Sequence, residues 1–164
     1  SPIWGGGDQE WGLRSGTENF PEIVKFAKAL FLLENKKAKE GKRLGILQKY
    51  FLTRLSRLDL DSGIVNGDQE NRLPNILNIT FSNIPSDLIV LELSAKGIMA
   101  SHQSACKSSK KEGSYVIKAI RPRSDIEIGG VRFSLGKETK KSDIDYTINT
   151  LKQILQKLKK WYNN

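Results

Sequence analysis

Two hydrophobic periods alternate along this sequence, and that alternation restricts the possible folds more than any other feature. Residues 76–81 (ILNITF) and 131–135 (VRFSL) alternate apolar and polar side chains, as strands with one buried face do. Helical patterns with three- and four-residue spacing lie before and after them, from Asn19 onward and again from Ser142. Strands that alternate with amphipathic helices predict a small mixed α/β or α+β layer fold.

The two long helical patterns differ in how clearly they are bounded. The first contains Gly41 and Gly45, which leave open whether it forms one helix or two in sequence. The second is predicted over residues 142–162, with Ser142 and Asp145 forming a capping box at its start. Between them the sequence predicts four shorter elements: a strand at 64–65, a helix over 87–95, a strand at 98–100 and helical turns over 114–120.

The chain is strongly basic, since 27 lysines and arginines against 18 acidic residues give a net charge of +9. Such a surplus can mark a phosphate-binding surface, or it can be the solvated face of lysine-rich helices. We favour the second interpretation, because the lysines follow helix faces and no aromatic residues alternate with them. Nucleic acid is therefore not an expected partner.

Length and cysteine content set further limits. With 164 residues, the chain can form one domain of ordinary size or a small domain with an extension, and it is long enough to bury a core. It has no stretch of eighteen apolar residues and no apolar leader segment, so neither a membrane span nor secretion is expected. A single cysteine, Cys106, excludes a disulfide framework and predicts a reducing, cytoplasmic environment.

Cys106 lies in a polar segment, residues 101–113, whose composition is typical of an exposed loop. The nearby Lys107, Lys110 and Lys111 favour its thiolate, which is the nucleophilic form. The alternative is a small buried side chain, the commonest fate of a free cysteine, although the polar neighbours argue against burial. The pattern therefore favours a functional thiol over a structural one.

Three further features can carry chemistry. Arg132 lies inside a strand pattern, where it binds an anion, pairs with an acid or simply faces solvent. His102, the only histidine, is either an acid–base group or an exposed loop residue. The glycine-rich residues 1–19 can offer backbone N–H groups to a phosphate or form plain turns, and they match neither nucleotide-binding fingerprint. One histidine and one cysteine do not make a zinc site, so no metal is expected.

Four segments carry a family resemblance, and they occur in this order: GGGDQEWGLRSGTEN (5–19), NGDQENRLPNILNITF (66–81), SHQSAC (101–106) and GGVRFSLGKET (129–139). Together they closely resemble the C-terminal part of cysteine desulfurases. Those are pyridoxal-phosphate enzymes of the class-V aminotransferase family, here of the subgroup with a long loop around an S-S-G-S-A-C motif. The resemblance covers essentially the whole chain, and four ordered motifs make it specific.

The resemblance implies a fold. Fold type I enzymes of this family are homodimers, and their C-terminal domain has a mixed, mainly antiparallel sheet packed by helices. Residues 1–19 are then expected to be the glycine-rich end of the large cofactor domain. Residues 20–164 are expected to be the small C-terminal domain, with the catalytic cysteine loop at 101–113.

The resemblance also implies an activity and a site. Cysteine desulfurases convert L-cysteine to L-alanine and leave the sulfur as a persulfide on an enzyme cysteine, which Cys106 matches. Arg132 matches the arginine that grips the substrate carboxylate, and Thr17 matches the threonine that reaches the cofactor phosphate of the partner subunit. The implied partners are a second subunit and a sulfur-acceptor protein such as an iron–sulfur scaffold, in cluster assembly or tRNA thiolation.

The sequence departs from the family pattern at three residues and in one missing pair. Asp8 replaces a glycine, His102 replaces the second serine of S-S-G-S-A-C, and Gln103 replaces its glycine, which should stiffen the loop. The family anchors pyridoxal phosphate on a lysine that follows a histidine, and no His-Lys pair occurs here. We therefore expect that these 164 residues alone neither bind the cofactor covalently nor turn over cysteine. His102 near Cys106 is a candidate for assisting thiol deprotonation.

Two other functions stay open. A selenocysteine lyase, or another class-V member, would share these motifs and differ in its substrate. A basic module that has lost catalysis would contact RNA or an acceptor protein, and its affinity would fall steeply with salt. The joint presence of Cys106, Arg132 and Thr17 argues against the loss of catalysis.

Overall fold

The computed structural model describes residues 1–2, 4–58, 63–81, 84–102, 115–120 and 129–162. The chain divides into two compact units, Ser1–Lys39 and Glu40–Asn164. This division after Lys39 is not the domain boundary that the family resemblance implies after residue 19, and that boundary stays a prediction. None of the helices in the described part of the chain carries an apolar stretch that could cross a lipid bilayer.

Helix α1 (Phe20–Ser56) is one uninterrupted helix of 37 residues, so Gly41 and Gly45 do not divide it. It starts where the sequence predicted, and the Asn19 Oδ1 accepts a hydrogen bond from the Glu22 N–H at 3.4 Å, as N-cap residues do. A glycine inside a helix costs about 1 kcal/mol relative to alanine. In the second unit α1 buries Leu47, Phe51 and Leu55, and each buried side chain contributes about 1.5–3 kcal/mol, which outweighs that cost.

A three-stranded antiparallel sheet forms the centre of the second unit. Its strands are β1 (Gly63–Val65), β2 (Ile76–Phe81) and β3 (Val131–Ser134), in the spatial order β1-β2-β3. The register places Leu77 opposite Phe133 and Asn78 opposite Arg132. The predicted mixed fold with a mainly antiparallel sheet is thus confirmed.

Three further helices complete the fold: α2 (Ser86–Ser94), α3 (Tyr115–Ile120) and α4 (Lys141–Tyr162). Side chains from α1, α2, α4 and one face of the sheet form a single buried apolar cluster. The rings of Phe51 and Phe133 are 5.1 Å apart between centroids at the middle of it. Its fully buried members include Leu77, Ile79, Ile89, Leu93, Val131, Ile144, Ile148, Leu151 and Leu158.

The loop between β3 and α4 is fastened to α1 by one guanidinium. Arg43 donates to the carbonyl oxygens of Thr139 at 2.8 Å, Gly136 at 2.9 Å and Lys137 at 3.0 Å. Arg43 also donates to the Glu40 carboxylate, and this hydrogen bond lowers the pKa of Glu40. The GKET end of the fourth motif is therefore held by main-chain contacts.

Two local predictions are wrong. Residues 98–100 do not form a strand, because the Ile98 N–H is used at the end of α2, where it donates to the Leu93 carbonyl at 3.0 Å. The capping box of α4 does not use Asp145: the Lys140 N–H donates to the Asp143 carboxylate at 2.9 Å instead. Asp145 is engaged elsewhere, since its carboxylate accepts a hydrogen bond from the Tyr50 hydroxyl at 2.8 Å.

Candidate functional site

Alternation along β3 decides which of its side chains can bind a ligand. Val131 and Phe133 are buried in the core, whereas Arg132 and Ser134 are exposed on the opposite face of the sheet. Among the residues that the structure describes, the guanidinium of Arg132 takes part in no side-chain hydrogen bond or ion pair. An exposed guanidinium that has no acidic partner in the described part of the chain is suited to a bidentate contact with a carboxylate.

The chain that leads to the cysteine is attached to Arg132 through the main chain. The Arg132 N–H donates to the Ser101 carbonyl at 2.7 Å, and the Ser101 N–H donates to the Arg132 carbonyl at 3.1 Å. Cys106 itself lies outside the described residues, so its exposure and its role stay predictions. Five residues of chain span at most about 18 Å, which bounds the distance between Cys106 and Ser101.

His102 is the last described residue before the cysteine. It is half-buried, and its role as an acid–base group or as a loop residue stays a prediction. Its carbonyl oxygen lies 3.8 Å from the position that a Cβ on Gly129 would occupy. The first residues of the predicted cysteine loop thus lie beside β3 and the glycine that precedes it.

Three polar side chains that the sequence analysis did not single out lie on the same face as Arg132. Asn66 Nδ2 donates to Asn78 Oδ1 at 2.7 Å and to Thr80 Oγ1 at 2.8 Å. The strand period of two could have indicated Asn78 and Thr80, because both alternate with buried residues in ILNITF. Asn66 could not be recognised in this way, since only the register brings it beside Asn78.

The segment before β3 requires its glycines. Gly129 has a φ of +68°, a conformation that other residues rarely adopt. A Cβ on Gly130 would overlap the Asn78 Oδ1 and come within 2.9 Å of Ile117 Cδ1 on α3. The Gly-Gly pair of the motif is therefore explained by close packing on its polar side.

Thr17, the other described candidate, belongs to the first unit. Gly16 before it has a φ of +102°, and the Arg14 guanidinium donates to the carbonyls of Gly16 at 3.2 Å and Thr17 at 3.3 Å. Thr17 is exposed. A hydroxyl and a guanidinium on a tight loop fit the phosphate end of pyridoxal phosphate. The anchoring lysine of the resemblance has no counterpart in the sequence.

A cavity of about 430 Å³ lies away from these candidates. Its walls include Leu52, Leu55, Phe81 and Leu155, so it belongs to the packed side of the sheet. It has no titratable side chain among its described lining residues. In the described part of the chain, no group of three or more His, Cys, Asp or Glu side chains could hold a metal ion.

Comparisons with known proteins agree with this geometry. The family model for aminotransferase class-V matches residues 4–147. Cysteine desulfurase IscS of Dictyoglomus turgidum is 38% identical over 158 residues, which cover 96% of this chain and 40% of that protein. Cysteine desulfurase IscS 1 of Archaeoglobus fulgidus is 36% identical over 158 residues, with 96% and 41% covered.

A solved structure of a NifS-like protein has a TM-score of 0.77 and 29% identity, and the match covers 96% of this chain and 39% of that one. The chain therefore spans about two fifths of the length of the curated relatives that it matches. The family match extends over most of the sequence, including the described segments that carry Thr17 and Arg132. The chain therefore belongs to the class-V aminotransferase family.

Proposed function

We propose that this chain is the C-terminal portion of a cysteine desulfurase, which converts L-cysteine to L-alanine and retains the sulfur as a persulfide on Cys106. The relatives that it matches are named cysteine desulfurases. The observation that carries the proposal is the main-chain bridge between Ser101 and Arg132. It ties a carboxylate-binding side chain to the start of the segment that bears the only cysteine.

The proposed reaction balances without an external oxidant or reductant. The Cys106 thiolate attacks the sulfur of the substrate, the carbon–sulfur bond breaks and a sulfur–sulfur bond forms. The substrate carbon takes a proton and becomes the methyl group of alanine, while Cys106 retains the transferred sulfur. A thiolate of a sulfur-acceptor protein then attacks the outer sulfur of this persulfide, so that a new sulfur–sulfur bond forms on the acceptor, the bond to Cys106 breaks and the Cys106 thiolate is released.

Each of the three candidate residues has a distinct role in that reaction. The Arg132 guanidinium binds the carboxylate of cysteine in a bidentate manner and orients the thiol toward Cys106, which is catalysis by positioning. The Thr17 hydroxyl donates a hydrogen bond to the cofactor phosphate of the partner subunit. When bound, pyridoxal phosphate supplies the electron withdrawal that weakens the carbon–sulfur bond. Its anchoring lysine belongs to a cofactor domain outside these 164 residues.

Exposed apolar side chains on the first part of α1 support a larger functional protein. Phe20, Phe26, Phe31 and Leu33 are each at least 60% exposed, and a helix that carries large apolar side chains on more than one face is usually covered by other parts of a protein. We propose that the cofactor domain covers this part of α1. The active form is a cytoplasmic homodimer, and an iron–sulfur scaffold is the acceptor class.

Replacement of the proposed nucleophile is the direct test. In the complete pyridoxal-phosphate-loaded enzyme that contains this chain, Cys106→Ala should abolish persulfide formation and reduce alanine production by at least about a hundredfold, since no other group here supplies the nucleophile. Mass spectrometry of the Cys106 peptide detects the added sulfur, and chromatography quantifies alanine.

Ser109→Ala is the matched control, because it changes the same segment and keeps the thiol. It should retain persulfide formation. Sulfide release by Cys106→Ala at the wild-type rate would refute the assignment of the nucleophile. Turnover of selenocysteine but not cysteine would instead identify a selenocysteine lyase.

A further inference from the structure

Asn66, which directly follows β1, Asn78 on β2 and Arg132 on β3 form a polar row on one face of the sheet. Asn78 is the register partner of Arg132, and the Asn66 N–H donates to the Asn78 carbonyl at 2.8 Å. The N–H and carbonyl of Arg132 both bond to Ser101, so they point away from β2. Asn78 and Arg132 are therefore a non-hydrogen-bonded pair, the arrangement in which opposite side chains come closest.

The Asn78 carboxamide is held firmly from the β1 side. Asn66 Nδ2 donates to the Asn78 Oδ1 at 2.7 Å, and only 7% of Asn66 is exposed. The same Nδ2 donates to the Thr80 hydroxyl oxygen, which fixes the orientation of the Asn66 amide. Burial strengthens such a network and makes the loss of one member costly.

On its other side the Asn78 carboxamide rests on the main chain of Gly130. A Cβ at Gly130 would overlap the Asn78 Oδ1, so the carboxamide occupies the space that a side chain at this position would need. Ile117 of α3 closes the same space from another direction, 2.9 Å from that Cβ position. Gly130 precedes Arg132 by two residues and therefore carries the strand segment from which the guanidinium projects.

We propose that Asn78 is a positioning residue for Arg132: anchored by Asn66, its carboxamide seats Gly130 and thereby fixes the direction of the guanidinium on β3. The inference rests on the proposed function, because it assigns a purpose to the alignment of a carboxylate-binding arginine. It concerns residues that bind and orient the substrate, and no bond is made or broken at Asn78.

The first experiment measures steady-state kinetics of the complete, cofactor-loaded enzyme with L-cysteine. Asn78→Ala should raise KM about tenfold, because a misdirected Arg132 would lose binding free energy for cysteine equal to about one net hydrogen bond. It should leave kcat within about twofold. Ser134→Ala is the matched control, because Ser134 is exposed on the same strand. It follows Arg132 by two residues, as Gly130 precedes it by two. This substitution should leave both constants unchanged.

A double-mutant cycle tests whether Asn78 acts through Gly130. Gly130→Ala should raise KM as Asn78→Ala does, and Gly130→Ala with Asn78→Ala should be no worse than Gly130→Ala alone, because the overlapping amide has been removed. Additive effects of the two substitutions would overturn the proposed route. Thermal unfolding of each variant identifies any that fail to fold, and Asn78→Ser then replaces Asn78→Ala.

A second measurement does not depend on activity. In the complete enzyme without substrate, Asn78→Ala should accelerate hydrogen exchange of the Arg132 amide about tenfold, since a loosened Gly130 weakens the bond from Arg132 to Ser101. Ser134→Ala should leave that exchange unchanged. If Arg132→Ala raises KM and Asn78→Ala alters neither KM nor exchange, the inference is wrong and the proposed function stands. If Arg132→Ala itself leaves KM unchanged, the proposed role of Arg132 fails and the inference fails with it.

Discussion

The two faces of the sheet use the same strands for different purposes. On one face Leu77, Val131 and Phe133 are buried beneath α1, α2 and α4. On the other face, one residue away along each strand, lie the polar row and the Ser101 bridge. Apolar burial stabilises the fold in proportion to area, whereas an exposed guanidinium adds little to stability and remains available to a ligand. The strand period of two thus separates folding residues from binding residues within a single segment.

Truncation of the packed face should have the largest effect on stability. Phe133 is 4% exposed and its ring contacts that of Phe51, so Phe133→Ala should lower the free energy of unfolding by about 3–5 kcal/mol. Urea denaturation monitored by circular dichroism measures the change. Phe133→Leu, which keeps most of the volume, should cost about 1.5 kcal/mol or less. Equal losses for Phe133→Ala and for Arg132→Gln would break the comparison between the faces.

Acid should reveal a smaller contribution from the turn that follows Asn66. The Asp68 carboxylate accepts backbone hydrogen bonds from Asn71 at 2.6 Å and from Glu70 at 2.7 Å, and these bonds lower its pKa. The unfolded chain, in which the pKa of an aspartate is about 3.9, therefore takes up the proton first as pH falls. The stabilisation is complete above about pH 5 and is lost as pH falls through the lower, folded-state pKa.

Urea midpoints measured between pH 6 and pH 2.5 test this expectation. Asp68→Asn should weaken the acid dependence of stability relative to the wild type, because the titrating carboxylate has been removed. Glu70→Gln is the control, since the Glu70 carboxylate accepts neither of the two bonds. An identical acid dependence in Asp68→Asn and the wild type would contradict the prediction.

The smallest effect on stability is expected at Arg132, the residue proposed to bind the substrate carboxylate. Arg132→Gln should change the free energy of unfolding by no more than about 0.5 kcal/mol, because the side chain is exposed and its guanidinium is unpaired among the described residues. In the complete enzyme the same substitution should raise KM for cysteine strongly. A loss of more than about 2 kcal/mol would mean that Arg132 supports the fold, and the division between the faces would then be wrong.

Most elements were predicted from the sequence, including the short β1, α2 and α3, whose bounds lie within one residue of the predicted ones. The alternation in 76–81 and 131–135 placed β2 and β3, and the apolar spacing placed α4. The alternation left open whether Arg132 faces solvent, and the structure shows it exposed. The continuity of α1 could not be predicted, because a glycine's local preference competes with tertiary burial that the sequence does not display. Residues 98–100 have strand-like composition, yet the end of α2 uses the Ile98 N–H.

The candidate site was predictable one residue at a time and not as an arrangement. Motifs singled out Cys106, Arg132 and Thr17, and the roles of all three stay predictions. The polar row depends on register between segments that lie 12 and 54 residues apart (66 to 78 and 78 to 132), which no local pattern specifies. Asn66 and Asn78 therefore became recognisable only once the strands were paired.

The Ser101–Arg132 bridge has a consequence for how such a protein can diversify. Two main-chain hydrogen bonds fix the point at which the chain leaves the sheet. Because they involve no side chain, they persist whichever residues follow Ser101, provided that no proline removes the N–H at position 101. Insertions, deletions and charge changes after residue 101 can then accumulate without changing the direction of the Arg132 guanidinium. Related proteins can therefore differ in the part of the cysteine loop that meets each acceptor and still share the same Ser101–Arg132 bridge.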